Sequence, residues 1–385
     1  MNRKMRFGMV GGSPGAFIGK VHLSAIRLNN DADLVAGCFS RDPEKRSLAA
    51  QTYAIASDRN YESYEIMAEA ESNREDKIDW VIIVTPNNLH YPIAKLFMEK
   101  GISVVCDKPL CLTVGQGLDL KQTASDNDCL FAVTYTYTGH VMTREAKRLI
   151  NDGAVGEIKM ILGEYPQDGL LRAYNAAKGS FPASWRFDPE QAGRGAAVAD
   201  IGTHVENWVR YVTGLKITGL CCNLERFADG PPRDNNVMCM LKYDSGANGM
   251  YWVSQVAAGY ANGMRVRVVG TKGTLEFVQE TSNYLKLSPI DGPVQILDRG
   301  RSYIPDNINA MNRLPAGHSE GLTEAFANIY RDFSKALRDK YDGLSINQDD
   351  YGYPTIDMGI AGVEFYNKCV DSFEAGCAWV DVDMY

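Results

Sequence analysis

The chain lacks any run of about 18 apolar residues of the kind that crosses a bilayer. Its start, MNRKMRFGMVGG, passes from charge straight into glycines, without the apolar core and small-residue cleavage site of a secretory signal. No Lys/Arg cluster stands out, and the net charge of −8 has the wrong sign for a nucleic-acid partner. Internal repeats and low-complexity segments are absent too. Nine cysteines are scattered, and Cys106, Cys111, Cys129 and the adjacent Cys221–Cys222 show no C-x-x-C spacing. A zinc site needs four ligands at workable spacing, so no structural metal is expected and buried reduced thiols are. Together these absences predict a cytoplasmic chain with neither membrane nor nucleic acid as partner.

What is present has a clear order. At 385 residues the chain exceeds one ordinary core, and two domains are expected. Up to about residue 137, strand-like and helix-like segments alternate. MRFGMV (5–10), DLVAGCF (33–39), IDWVIIV (78–84), SVVCDKP (103–109) and LFAVTYTY (130–137) are the strand candidates. Between them lie helical spacings from Ala16 to Leu28, from Asp42-Pro43 onward, and across HYPIAKLFMEKG. Strands apolar on both faces suit a parallel sheet covered by helices, so residues 1–137 read as a doubly wound Rossmann domain for NAD(P). Beyond, EIKMILGEY, ITGLCCNLERF, NVMCMLKYDSGANGMYWVSQVA, MRVRVVGTKGTLEFV and YLKLSPI are consecutive strand-like runs with hairpin turns. Helical periodicity returns from Ser319 to Leu337. Residues 138–385 are therefore expected to form an α+β substrate and oligomerisation domain around a large, mostly antiparallel sheet.

GGSPGAFIG (11–19) falls at the first strand–helix junction. There backbone N–H groups and a helix start favour a pyrophosphate. Gly11, Gly12, Ser13 and Gly15, with Phe17 and Ile18 at the helix start, are the cofactor-facing candidates; a plain tight turn is the competing reading. The six-residue G-x-G-x-x-G fingerprint is stretched to nine positions here, and Gly19 is expected to let the helix pack closely. The second strand ends in Phe39-Ser40-Arg41 rather than in a carboxylate. A hydroxyl and a guanidinium suit the 2′-phosphate of NADP, while nearby Asp42 keeps NAD open.

Two stretches carry chemistry. Lys108, in VCDKPLCLT, sits at the carboxyl end of a parallel strand, where such sheets bind ligands, unless it is a plain surface lysine. Asp200 and His204, in VADIGTHVENW, are four apart and share a face at a helix start, which Asp200 could also cap. A lysine, a histidine and a carboxylate together can bind an alcohol, accept its proton and stabilise the developing charge. Tyr135 and Tyr137, two apart at a strand end, are candidates to stack on a sugar ring or to pack in the core. Trp185 and Arg186, in SWRFDP, are substrate candidates or a loop anchor, and Tyr165 and Gln167 are weaker ones.

These motifs resemble the glucose–fructose oxidoreductase / inositol dehydrogenase / MocA-like (Gfo/Idh/MocA) family. The likeness rests on the glycine turn followed by Gly19-Lys20-Val21-His22, the run VTPNNLH (84–90), the triplet Asp107-Lys108-Pro109 and the D-x-x-x-H pair. It implies that Lys108 matches the lysine of the family's E-K-P triplet, and that Asp200 and His204 match its catalytic pair. It also implies that Thr85, Pro86, Asn87 and His90 lie along the cofactor. Asp107 shortens the usual Glu, and Asn207 stands where an Asp is often found. The implied function is NAD(P)-dependent hydride transfer at a ring hydroxyl of a sugar, glycoside or cyclitol, in a homodimer or homotetramer. The alternatives are transient oxidation by tightly bound NAD and a cofactor-binding sensor without turnover.

Overall fold

The computed structural model describes residues 3–181, 184–228 and 233–383. The chain divides into two compact units: Met1–Gly139 with Leu322–Ile360, and His140–Gly321 with Ala361–Tyr385.

The first unit runs β1 (Met5–Gly11), α1 (Phe17–Asn29), β2 (Ala32–Cys38), α2 (Pro43–Tyr53), α3 (Tyr64–Ser72), β3 (Trp80–Val84), α4 (His90–Glu99), β4 (Ser103–Cys106), α5 (Val114–Asp126) and β5 (Phe131–Val133). Its strands form one parallel sheet in the order β2-β1-β3-β4-β5. Every residue of β3, β4 and β5 is buried, as a parallel sheet covered on both faces requires.

The second unit runs α6 (Val141–Asn151), β6 (Ile158–Pro166), α7 (Gly169–Ala176), α8 (Pro189–Ala192), a π-turn (Val198–Gly202), α9 (Thr203–Thr213), β7 (Ile217–Glu225), β8 (Asn236–Tyr243), β9 (Asn248–Ser254), β10 (Arg265–Gly270), β11 (Gly273–Val278), β12 (Tyr284–Pro289), β13 (Gln295–Asp298) and α10 (Asp306–Asn309). Two long helices follow, α11 (Leu322–Tyr341) and α12 (Ile356–Glu374), and the chain closes with β14 (Val380–Asp381). The second sheet has the order β13-β12-β11-β10-β6-β9-β8-β7-β14 and is antiparallel except where β6 meets β9. One face packs on helices: Trp208 of α9 stacks on Phe277 of β11 and donates its indole N–H to Thr143 of α6. The other face is open, and Met160, Met238, Met240 and Met250 lie exposed on it.

Three expectations change. Helix α11 belongs to the first unit, so residues 138–385 are not one continuous domain. Its Phe326, Ile329, Tyr330 and Phe333 recur at helical spacing and are buried with Phe7, Trp80 and Leu23, and Tyr330 meets His22 Nδ1 at 2.5 Å. A stripe that apolar has to cover a sheet, and the first sheet is the one it covers. The last strand of that sheet stops at Val133, and a 3-10 turn follows over Thr136–Gly139, so Tyr135 and Tyr137 do not share a strand face. Helix α11 also begins at Leu322 rather than near Ser319.

The glycine turn has a steric cause. Gly11 and Gly12 are both left-handed, at φ +86° and +72°. A Cβ on Gly11 would lie 2.7 Å from the Val84 carbonyl oxygen, and one on Gly12 would lie 2.5 Å from Met9 Sδ. Gly19 brings α1 onto the turn, since its Cβ would lie 2.7 Å from Gly12 Cα. Gly15 faces open space and has no positive φ. Gly12→Ala should therefore cost at least the left-handed penalty of about 1–2 kcal/mol, whereas Gly15→Ala should stay within about 0.5 kcal/mol of the parent. Thermal unfolding of the two variants side by side checks this; equal losses would remove the steric account.

Burial also sets an acid limit. His140, ahead of α6 and beside Phe277, is pushed by burial from 6.5 down to about 4. The unfolded chain takes up that proton near its ordinary value while the folded chain refuses it, so stability falls with pH from about 6.5 toward 4. Between neutral pH and pH 5 this amounts to about 2 kcal/mol. Urea unfolding at both pH values should show a smaller drop for His140→Gln than for the parent, and an identical drop would refute the assignment.

Candidate active site

On the first unit the site is built at the carboxyl ends of the strands. The peptide N–H of Ala16 donates to the Ser13 carbonyl, closing the turn, and no side chain caps the start of α1. The first-turn N–H groups, which have no intrahelical partner, therefore face outward behind the glycine cradle, with no acidic residue among them. A cradle that a Cβ would fill, followed by an uncapped helix start, fits a dinucleotide pyrophosphate. Phe17 is 75% exposed beside it, and Ile18 is half-buried.

At the end of β2, Ser40 is half-buried and Arg41 exposed. The Asp42 carboxylate accepts from the amides of Glu44 and Lys45 as the N-cap of α2, and the Ser40 hydroxyl accepts from the Asp42 amide. Asp42 is thus engaged locally, while Arg41 is exposed and acts electrostatically on Glu65 and Tyr64 of α3.

Thr85, Pro86 and Asn87 follow β3, with Asn87 buried. His90 is buried as well, and its ring ties two loops together. Nδ1 lies 2.8 Å from the Pro109 carbonyl and Nε2 lies 3.0 Å from the Thr85 carbonyl. Burial holds this imidazole below its ordinary range despite Asp107 and the two carbonyls, and a neutral ring donates to only one of them. His90 therefore positions the loops after β3 and β4. Asp107 Oδ1 accepts from the Lys108 amide at 3.0 Å and from the Thr134 hydroxyl at 2.8 Å, which fixes the turn that carries Lys108. The Lys108–Pro109 peptide is cis.

On the second unit, Asp200 lies inside the π-turn, and His204 follows in the first turn of α9. A π-turn inserts an extra residue into the helical ladder and is frequent at functional sites. Asp200 does not cap the helix, contrary to that option in the sequence: its amide donates back to Ala196, and its Oδ2 accepts from Gln255 Nε2 at 2.8 Å. The work of anchoring falls to Asp234, fully buried, whose carboxylate accepts from the amides of Ala196 (2.5 Å) and Val198 (2.8 Å). Burial raises its carboxyl to about 6 against the pull of those amides. His204 is 8% exposed and meets the Tyr165 ring edge-on, at 6.2 Å between centroids. Asn262 Oδ1 accepts from both the Tyr165 hydroxyl (2.9 Å) and Gln167 Nε2 (2.6 Å).

The structure thus groups Asp200 and His204 with Gln255, Asp234, Tyr165, Gln167 and Asn262 on the second unit. On the first unit, Lys108, Asp107, Thr85 and His90 form a group. Tyr135 and Tyr137 are 1% and 5% exposed, in the turn after β5. Trp185 and Arg186 form a 3-10 turn in which the guanidinium sits 4.7 Å over the indole. Gln255, Asp234 and Asn262 escaped sequence reasoning because each acts from a distant strand or loop and carries no motif. Of the weaker pair, Tyr165 proves to be beside His204, and Gln167 shares its Asn262 partner.

Residues 5–135 match the oxidoreductase family with the NAD-binding Rossmann fold, and residues 143–276 match the GFO/IDH/MocA C-terminal domain. The chain is similar to the uncharacterized oxidoreductase YfiI of Bacillus subtilis, at 34% identity over 99% of this chain and 98% of that protein. Among solved structures it is similar to an inositol dehydrogenase homolog from Azotobacter vinelandii complexed with NAD+, at 33% identity and TM-score 0.92 over 99% and 98% of the two chains. The same homolog complexed with NADH and myo-inositol superposes at TM-score 0.91 over 99% and 98%. One family accounts for both halves of the chain, and the protein belongs to it: a Gfo/Idh/MocA oxidoreductase, an NAD(P)-dependent dehydrogenase acting on CH–OH groups.

Proposed function

We propose that this enzyme oxidises a ring hydroxyl of a cyclitol or sugar, with an inositol as the leading substrate, and that Lys108, Asp200 and His204 do the chemistry. The observation that carries the reading is the Asp200–His204 pair, held on a π-turn by Gln255 and Asp234 in a chain that also has a glycine cradle. The likeness to the Azotobacter vinelandii structure with NADH and myo-inositol supports the substrate class.

When bound, the nicotinamide supplies the hydride acceptor. Gly11, Gly12, Ser13 and Gly15 with the start of α1 hold the pyrophosphate, and Thr85, Pro86, Asn87 and Asp107 line the cofactor's path. His204 accepts the hydroxyl proton at an imidazole nitrogen. Asp200, whose Oδ2 accepts from Gln255, orients the imidazole or binds a neighbouring substrate hydroxyl. The Lys108 ammonium stabilises the negative charge that grows on the reacting oxygen. Trp185 and Arg186 offer an aromatic and a cationic surface to a polyhydroxylated ring. Cofactor choice rests with Ser40 and Arg41, which favour the 2′-phosphate of NADP. The open sheet face with its four methionines forms the contact between copies in a homo-oligomer. Nine unbonded cysteines suit the reducing cytoplasm.

The test follows absorbance of reduced nicotinamide with a panel of inositols, monosaccharides and glycosides. Net reduction with an inositol supports the proposal; turnover only with glycosides on copurified cofactor overturns it. His204→Ala should lower turnover by about 10²–10⁴-fold with cofactor affinity nearly unchanged. Equal loss of both would remove His204 as the proton acceptor. Arg41→Ala should weaken NADP by about ten- to a hundredfold and leave NAD nearly unaltered in fluorescence titrations. Parallel weakening of both nucleotides would count against a 2′-phosphate contact.

A further inference from the structure

Three of the nine cysteines converge in the second unit, on β7, β8 and α12: Cys222, Cys239 and Cys369. Cys222 and Cys239 stand directly opposite each other in the β7–β8 ladder. The Cys222 amide donates to Ser372 Oγ at 2.9 Å, away from β8. The pair is therefore of the non-hydrogen-bonded kind, whose Cα atoms lie about 4.5 Å apart with the side chains close. A disulfide spans Cα separations of about 4.4–6.8 Å, so the backbone already meets its requirement at the short end. The side chains agree: Cys239 Sγ lies 2.8 Å from Cys222 Sγ and 3.7 Å from Cys369 Sγ.

We propose that Cys222 and Cys239 are a modification site, closing into a reversible disulfide when the protein meets a peroxide. The step is balanced. Cys239 sulfur attacks one peroxide oxygen, the O–O bond breaks and hydroxide leaves, giving a sulfenic acid. Cys222 sulfur then displaces that oxygen as water and forms the S–S bond. Two thiols and one peroxide yield one disulfide and two waters, the thiols losing the two electrons that the peroxide gains. Burial opposes ionisation of Cys239, while its contacts with the Cys222 and Cys369 sulfurs bring its thiol below the ordinary range. The Cys222 and buried Cys369 thiols are both pushed up. Cys221 stands opposite Met240 on the other face of the sheet, and Cys377 Sγ lies 3.7 Å from Asn223 Oδ1.

A metal fits the same sulfurs less well. Among the described residues the ligating group stops at Cys222, Cys239 and Cys369, one short of a closed zinc site. The other titratable groups acting on Cys239 are Cys221 and Asp234, which add negative charge and offset none.

The experiment exposes the full chain to hydrogen peroxide, blocks the remaining thiols and maps the peptides. Free thiols should fall by two of the nine, one crosslink should join the Cys222 and Cys239 peptides, and dithiothreitol should restore both. Cys239→Ser should abolish the crosslink. A link between Cys221 and Cys377, or between Cys239 and Cys369, would overturn the proposal. So would no thiol loss under conditions that oxidise the exposed Met238 and Met240. The mapping uses the unaltered protein, so the outcome does not depend on how the variant folds.

Discussion

The chain reverses its course between β1 and α1 within a space that admits no Cβ. Two consecutive left-handed residues, Gly11 and Gly12, are hemmed by Val84 and Met9, and Gly19 lets the following helix approach to contact distance. This steric limit leaves the helix start uncapped, with its N–H groups turned outward at the carboxyl edge of the sheet. Anion binding follows from that backbone geometry more than from any side chain. The parallel sheet behind the turn, buried on both faces, makes the cradle rigid.

The second unit solves a different problem. The proposed chemistry presents a carboxylate and an imidazole together, and a regular helix start would leave the carboxylate free to cap its own N–H groups. The π-turn removes Asp200 from that role, and Asp234 takes over the amides at Ala196 and Val198. A fully buried carboxylate is costly unless it is hydrogen-bonded, and here it is satisfied by backbone donors alone. Gln255, arriving from the end of β9, then fixes one oxygen of Asp200. The loop at Asp234 and the end of β9, distant in sequence, thus converge on the π-turn that carries Asp200.

The large sheet joins these roles. One face carries the helices that hold His204, and the other presents Met160, Met238, Met240 and Met250. Alternation along β8 sends Met238 and Met240 outward and Cys239 inward, so one strand serves the open face and the buried thiol group at once.

Much of this was legible from local pattern. The strand–helix alternation, the glycine turn, Lys108 after a buried strand and the four-residue spacing of Asp200 and His204 are all short-range signals, because backbone sterics and helical period act over a few residues. Helix α12 was not legible: Ile360, Val363, Phe365, Tyr366 and Cys369 are buried around most of its circumference, which erases the one-sided period that marks an amphipathic helix. Tyr135 and Tyr137 misled because their apolar, β-prone run continues past Val133, where the strand ends. Chain order likewise conceals that α11 packs with the first sheet. The partners of Asp200, the loop-stapling part of His90 and the grouping of Cys222, Cys239 and Cys369 were decided by tertiary structure alone. Apart from His90 and Thr85, five positions apart, each is a contact between residues 17 to 147 positions apart, brought together by sheet register and helix packing, and such contacts leave no mark on the local order of residue types.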